Sequence, residues 1–386
     1  MNAALLKNIV SSDLNALRAD EQKIRAFVEE RMLDECGLVW SFINASTLRP
    51  WTNDELARHN MKPVCHDHCP NPADYFAYEN SLMATGMYAL SQVRRYGVTG
   101  EAAALTAAAH PVYAILRVLH QGELYEKGFL PKPFGGVRKC CYSHELSPDQ
   151  YIKSMIALWG YREYAAAAAR KVIDDYFVAM ADYHVARGFI HPRRESMVVT
   201  PENRPHVISM LVPLLCAAHR LTGDGKYRDA LKRFDPVMDD YAAGKAQIHF
   251  NICSLLVEGL HLAADLGLDD ARVPVIMRSL WTLNSGLLLD SGLGYTTDDR
   301  KVKTSESVVM ASLAPIVDRY CPDLEAWRTG VFLLQRNGEP QSMLYVCEAD
   351  EPVKYHGPLH ASLCELAITA WLLAYWRMRQ AFRPAP

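Results

Sequence analysis

The sequence predicts an all-α fold, a closed ring of six helical hairpins, on three observations. Long, nearly all-apolar helical stretches recur six times. Each opens on a polar cluster, at Tyr78, Ser147, Arg204, His249, Lys303 and His356. Each is followed by a second helix of the ordinary amphipathic kind, apolar on one face only. In a ring of hairpins the apolar helices run parallel inside, so their polar starts meet at one mouth. A solenoid of helical pairs shares the repeat but does not gather those starts.

The elements follow in order. Residues 11 to 36 carry an apolar set at helical spacing, Leu14, Leu17, Ile24, Phe27, Val28, Met32 and Leu33. A loop rich in Pro, Asn and His runs from Val39 to Asp74. The first inner helix is expected over Tyr78–Tyr96, with Gly97 and Gly100 in the turn and an outer helix over Glu101–His120. Gly and Pro in GFLPKPFGG oppose a long helix between Gln121 and Glu145. The second inner helix starts at SPDQY, where Ser147 can cap, Pro148 suits the first turn and Asp149 faces the positive helix end. Its outer partner, Tyr161–Arg187, holds a dense alanine run.

Further inner helices are expected over His206–Leu221, Gln247–Leu266, Thr304–Tyr320 and His356–Met378. Outer ones are expected over Tyr227–Ala242, Asp269–Leu283 and Pro322–Leu334. Leu287–Lys301 reads as an irregular loop with room for short strands, and MLYVCEA as a short strand. The last helix, with Leu359, Leu363, Leu366, Ala367, Ala370 and Trp371, is too apolar for an outer surface. The twelve helices make one domain over residues 1–386.

Composition excludes some functions. With 386 residues, 50% of them hydrophobic, the chain can bury a large core. A formal charge of -3 and no long basic run give no case for nucleic acid. No charge-free apolar run is long enough to span a membrane. The start, MNAALLKNIVSSDLNALRADEQK, lacks the apolar core of a signal peptide. Several of the ten cysteines, including Cys216, Cys253 and Cys364, fall inside apolar helical patterns. Reduced thiols and a cytoplasmic location are therefore expected.

The layout resembles the six-hairpin glycosidase-like (α/α)6 barrels, from about Leu14 to Trp376. The resemblance is architectural. It implies a carbohydrate-active enzyme, and within the group it points to hydrolases of unsaturated uronyl sugars. There, an Asp at the start of an inner helix protonates the sugar's double bond and then activates water. Asp149 in SPDQY is the nearest match.

The chemistry-bearing residues cluster at the helix starts. Asp149 is expected as proton donor and Glu79, at the same place one hairpin earlier, as its carboxylate partner. Inner helices lie about 8–10 Å apart, and a carboxylate pair across such a gap suits glycoside chemistry. Tyr78 and Tyr151 can line the mouth as sugar platforms, and Gln150 can bind a hydroxyl. Arg204 offers a bidentate partner to a substrate carboxylate, beside His206. His249 and Asn251 enter an apolar helix, where polar groups need partners. Lys303 and Glu306 are three apart, Tyr295 can stack on a ring, and His356 and His360 are four apart on one helical face. Capping, surface ion pairing and core hydrogen bonding are the competing explanations of these positions.

In CHDHC, Cys65 to Cys69, four zinc-capable side chains crowd into five residues. That strains tetrahedral chelation by one loop, so no metal and no cofactor are expected. Hydrolysis of a uronic-acid-containing or related oligosaccharide leads. A polysaccharide lyase or sugar epimerase would use the same cup. A non-catalytic toroid that binds a ligand or protein partner is the other class. Aspartate-rich terpene-cyclase signatures are absent.

Overall fold

The computed structural model describes residues 3–59, 69, 71–139, 141–142, 146–193, 197–246, 249–349 and 358–382. Its inner helices are Ser81–Thr99, Pro148–Arg162, Ile208–Thr222, Phe250–Asp265, Val309–Tyr320 and Glu365–Ala381. They pack side by side in chain order, and the sixth closes on the first. The outer partners are Ala102–Gly122, Ala167–Ala186, the pair Gly225–Leu231 and Asp235–Ala242, Arg272–Ser285 and Ala326–Arg336. The sixth outer position is filled from the other end of the chain, by Ala3–Ala16 and Arg18–Phe27. There the indole of Trp376 donates to Glu21 Oε1 at 3.1 Å. The fold is an (α/α)6 barrel.

Burial explains which helices are inside. Every residue from Glu365 to Met378 is buried, so that helix must be covered all round. One apolar core runs from Val10 to Met378. Two glycines set how closely inner helices approach. A Cβ on Gly86 would lie 2.2 Å from the Lys153 carbonyl oxygen, and one on Gly259 2.0 Å from that of Ser209. Ala102–Gly122 is long and apolar enough, by length and composition, to cross a membrane. In the barrel it is the outer partner of the first inner helix.

Below the mouth, three charged side chains meet in the interior. Lys153 Nζ donates to Glu258 Oε2 at 2.5 Å and also to the Ser254 hydroxyl. Arg377 Nη1 donates to Glu258 Oε1 at 2.6 Å and to the Ser312 carbonyl at 3.0 Å. Side-chain exposure is 1% for Lys153, 0% for Glu258 and 9% for Arg377. The second, fourth, fifth and sixth inner helices are thereby tied at one point. Burial opposes ionisation of Glu258, but the two cations outweigh it and hold the carboxyl below its usual range.

Several expected boundaries move. The last inner helix starts at Glu365, not His356. Pro358–Ala361 is a 3-10 turn. Ser362 and Leu363 then spend their backbone on bridges to Asn44 and Leu344, so they are extended. His360 is exposed on that turn and His356 lies outside the described residues, so the expected shared helical face is not seen. The helix expected over Tyr227–Ala242 breaks at Lys232–Phe234, and a new helix opens with Pro236 in its first turn. Lys303 lies in a strand and Glu306 in a 3-10 turn, so they do not share a helix face. The N-terminal helix begins earlier than expected and ends at Met32 in a π-helical turn.

Short antiparallel strands decorate the loops. Pro133–Phe134 pairs with Cys141–Tyr142, and His191–Arg193 with Met197–Val199. Val302–Thr304 pairs with both Gly294–Tyr295 and Glu348–Ala349, so only the end of MLYVCEA is a strand.

Candidate active site

The starts of the inner helices converge, as three sets of contacts establish. A polar cavity of about 190 Å³ is lined by Glu79, Asn80, Lys132, Ser147, Asp149, Arg204 and His206, with Leu146, Pro148 and Val199 as its apolar wall. It joins the first, second and third starts. Asn80 Nδ2 donates to Tyr345 Oη at 3.0 Å, and Tyr345 Oη donates to Glu365 Oε1 at 2.7 Å, joining the first start to the sixth. The 3-10 turn Ser305–Val308, which carries Glu306, packs against the fourth and sixth inner helices and so brings the fifth start to them.

At the second start, Ser147 does not cap the backbone. Its hydroxyl donates to Asp149 Oδ1, which also accepts from the Gln150 backbone N–H at 3.0 Å. Asp149 Oδ2 makes no hydrogen bond among the described residues. Gln150 is buried, with Nε2 donating to the Glu79 carbonyl at 2.5 Å and Oε1 unpartnered among the described residues. Glu79 Oε1 pairs with Lys132 Nζ at 2.5 Å, while its Oε2 is buried without a partner among the described residues. Glu79 and Asp149 thus share one cavity, but Glu79 is held there as half of an ion pair.

The tyrosines turn inward instead of forming platforms. Tyr78 donates to Asp34 Oδ2 at 3.1 Å and accepts from the Trp40 indole at 3.1 Å. Tyr151 is fully buried and accepts from the Leu130 backbone N–H at 2.7 Å. Arg204 is exposed and has no ion pair among the described residues; His206, beside it, is half-buried. His249 caps the fourth inner helix, its Nδ1 accepting from the Asn251 N–H at 3.1 Å, and Asn251 is half-buried. Tyr295 is half-buried, with the Arg300 guanidinium 5.8 Å from its ring centre. Lys303 pairs with Glu348 at the strand edge.

Two buried carboxyls stand out. Burial pushes Glu306 above the usual carboxylate range; His249 opposes this and the charge on Asp149 adds to it. Glu365 is pushed up to about 7 by burial, against the hydrogen bonds from Phe42 N–H and Tyr345. Sequence reasoning missed Glu365, Lys132, Asn80 and Tyr345. The signal for two of them was present, since Lys132 and Glu365 are lone charges in apolar runs, FLPKPF and CELAITAW.

Cys65 to His68 lie outside the described residues, and Cys69 is buried. Among the described residues no cluster of three metal-ligating side chains occurs. A larger cavity of about 750 Å³ lies along Ala167–Ala186, beside Asp174, Asp175 and Asp182. None of the inner-helix starts lines it, so the smaller cavity with its converging polar groups is the better candidate site.

No family model matches the chain, and no curated protein does. Solved structures do. An unsaturated glucuronyl hydrolase specific for heparin aligns with a TM-score of 0.60 at 10% identity, over 94% of this chain and 97% of that one. Cellobiose 2-epimerase from Bacillus thermoamylovorans aligns with a TM-score of 0.58 at 13% identity, over 95% and 99%. A D-mannose isomerase aligns with a TM-score of 0.54 at 12% identity, over 95% and 97%. At such identities the likeness speaks for architecture alone, and the architecture of this chain is an (α/α)6 barrel.

Proposed function

We propose that this chain is a carbohydrate-active enzyme that hydrolyses a glycosidic bond in a uronic-acid-containing or related oligosaccharide. The observation that carries the reading is the 190 Å³ polar cavity at the inner-helix starts, which sets Asp149 beside Arg204 and His206. Arg204 is exposed and has no ion pair among the described residues, in the right state to clamp a sugar carboxylate bidentately. The volume is below the roughly 300–1,000 Å³ of sites that hold a whole drug-sized ligand. It suits the terminal ring of a chain. Asp149 is the proton-transfer group, with Oδ1 fixed by Ser147 and Gln150 and Oδ2 left for the substrate or water. Glu79, paired with Lys132, holds its place and serves to position the ring. The unsaturated glucuronyl hydrolase among the structural neighbours supports the substrate class.

A second reading, epimerisation or isomerisation of a free sugar, is favoured by His249, an imidazole at the fourth inner-helix start. The two part in one assay. Hydrolysis of a uronic-acid disaccharide creates a new reducing end, and epimerisation does not. The buried thiols of Cys36, Cys216, Cys253, Cys321 and Cys364 support a cytoplasmic location, because a reducing compartment keeps such groups intact.

The test is Asp149→Asn, assayed on saturated and unsaturated uronic-acid disaccharides. It keeps the shape and removes the titrating proton, so turnover should fall roughly 10²-fold or more. Full turnover by Asp149→Asn would end the assignment.

A further inference from the structure

We propose that Asn80 reads a free hydroxyl of the bound sugar through its side-chain oxygen, and that Tyr345 and Glu365 are positioning residues that set which end of the Asn80 amide faces the cavity. This rests on the carbohydrate reading above, but not on which reaction follows binding.

Hydrogen-bond direction carries the inference. The chain of bonds starts at a fixed donor. The Phe42 backbone N–H donates to Glu365 Oε2 at 3.0 Å, and a backbone N–H can only donate. Glu365 is fully buried. As a carboxylate it only accepts, so its Oε1 accepts from the Tyr345 hydroxyl at 2.7 Å. Tyr345 Oη then has lone pairs to offer and no second proton. Its other neighbour must donate, and Asn80 does so with Nδ2 at 3.0 Å. The amide is thus oriented by its partners. Its Oδ1 accepts no hydrogen bond among the described residues, and Asn80 lines the 190 Å³ cavity together with Asp149 and Arg204. The frame is held on both sides. The Asn80 backbone N–H donates to the Ser41 hydroxyl at 2.9 Å, and the Tyr345 ring packs edge-on against Phe42 with 4.8 Å between centres.

Protonation of Glu365 reverses the chain. With a proton on Oε1 the carboxyl donates to Tyr345 Oη. Tyr345 then donates to Asn80, the amide turns over, and Nδ2 replaces Oδ1 at the cavity. Glu365 titrates where this matters, since burial pushes it up to about 7, against hydrogen bonds from Phe42 N–H, Tyr345 and Asn80. The titratable groups around it are Tyr345, Cys364 and Glu306, the last on the turn packed against its helix and acting on the other two. Burial holds Tyr345 and Cys364 well above their ordinary values, so both stay neutral.

Specificity follows from the direction. With Oδ1 at the cavity, a sugar hydroxyl can donate to it. Fluorine, an ether or a sulfate ester on the same carbon cannot.

The experiment measures binding of D-glucuronic acid and its 2-, 3- and 4-deoxyfluoro analogues by titration calorimetry at pH 6 and pH 8. A monosaccharide has no glycosidic bond to cleave, so binding is read without turnover. For wild type at pH 8, one fluoro analogue should bind roughly three- to tenfold more weakly than the parent sugar, the worth of one hydrogen bond. That ratio should shrink toward one at pH 6. Taking a ratio cancels the titration of His206, which lines the same cavity. In Glu365→Gln the Phe42 N–H keeps the amide oxygen, so an N–H donor stands where Oε1 stood. This variant should show the small ratio at both pH values. Tyr345→Phe should lose the pH dependence as well. If Glu365→Gln discriminates as wild type does, with the same pH dependence, or if wild type binds all three analogues as well as the parent, the inference fails and the carbohydrate reading stands. Wild type that binds no D-glucuronic acid also overturns the inference, and if it cleaves none of the uronic-acid disaccharides the reading falls with it. Should Glu365→Gln not fold, Tyr345→Phe decides, since a pH dependence that persists without the hydroxyl overturns the proposal.

Discussion

Replacing Glu258 with Gln tests the interior of the barrel. The change keeps the shape and removes one negative charge from between two cations. Lys153 and Arg377 would remain buried, 1% and 9% exposed, facing a neutral amide that cannot balance either. Breaking a buried pair in this way costs about 3–5 kcal/mol, because a charge is left without compensation. For 386 residues, an unfolding entropy of about 2.1 cal/mol/K per residue amounts to roughly 0.8 kcal/mol/K. The melting temperature should therefore fall by about 4–6 °C. Differential scanning calorimetry at several scan rates reads it and separates an equilibrium shift from irreversible loss. A control replaces all three charges with apolar groups of similar size, Lys153→Met with Glu258→Leu and Arg377→Met. It should melt within about a degree of wild type or above it. The pH dependence has a definite sign. Glu258 sits below its usual range when folded, so its contribution is present above the ordinary value of 4.5 and is lost as pH falls through the folded value. A Glu258→Gln protein melting within 1 °C of wild type would refute the buried cluster.

Three further outcomes are expected. Gly259→Ala should destabilise by about 1–3 kcal/mol in calorimetry, as overpacking does, because its Cβ would meet the Ser209 carbonyl. Glu365→Gln should flatten the pH dependence of melting. Glu365 titrates near 7 instead of 4.5, so it supplies stability below pH 4.5 that is lost as pH rises through 7, roughly 3 kcal/mol in all. The variant should thus melt higher than wild type at pH 8. Thiol titration of unfolded, unreduced protein should count at least the six thiols of Cys36, Cys216, Cys253, Cys321, Cys347 and Cys364.

What was legible in the sequence followed from periodicity. Inner helices such as Pro148–Arg162 and Phe250–Asp265 are rich in apolar residues on most of their circumference and buried along most of their length, and a helix covered all round has one place in a ring. Their starts were harder to place. Phe42 meets both Glu365 and Tyr345 through contacts that span more than 300 residues, and no local pattern encodes them. The start of the last inner helix was misplaced because Ser362 and Leu363 have helical composition but are held extended by Asn44 and Leu344. At the cup, polar residues at helix starts marked the mouth. Which of them were already committed depended on partners in loops. Lys132 arrives from the irregular GFLPKPFGG segment to claim Glu79, and Asp34 claims the Tyr78 hydroxyl.

The sixth hairpin is assembled from both ends of the chain, which gives the ring a seam. Five hairpins can form from neighbouring segments as the chain emerges. The sixth waits for Glu365–Ala381 and must then find helices made at the outset, with Trp376 reaching back to Glu21. Until that happens the first and fifth inner helices each expose a face that the sixth would cover. Until Glu365–Ala381 is made, the nascent barrel is therefore an open arc with two sticky edges. Closure is a single late event of high sequence separation, the kind that sets folding rate. Joining the end of Glu365–Ala381 to the start of Ala3–Ala16 and cutting between two other hairpins would move the seam without changing a contact in the finished barrel. The folding rate of such a permutant would report how much of the search is spent on closing the ring.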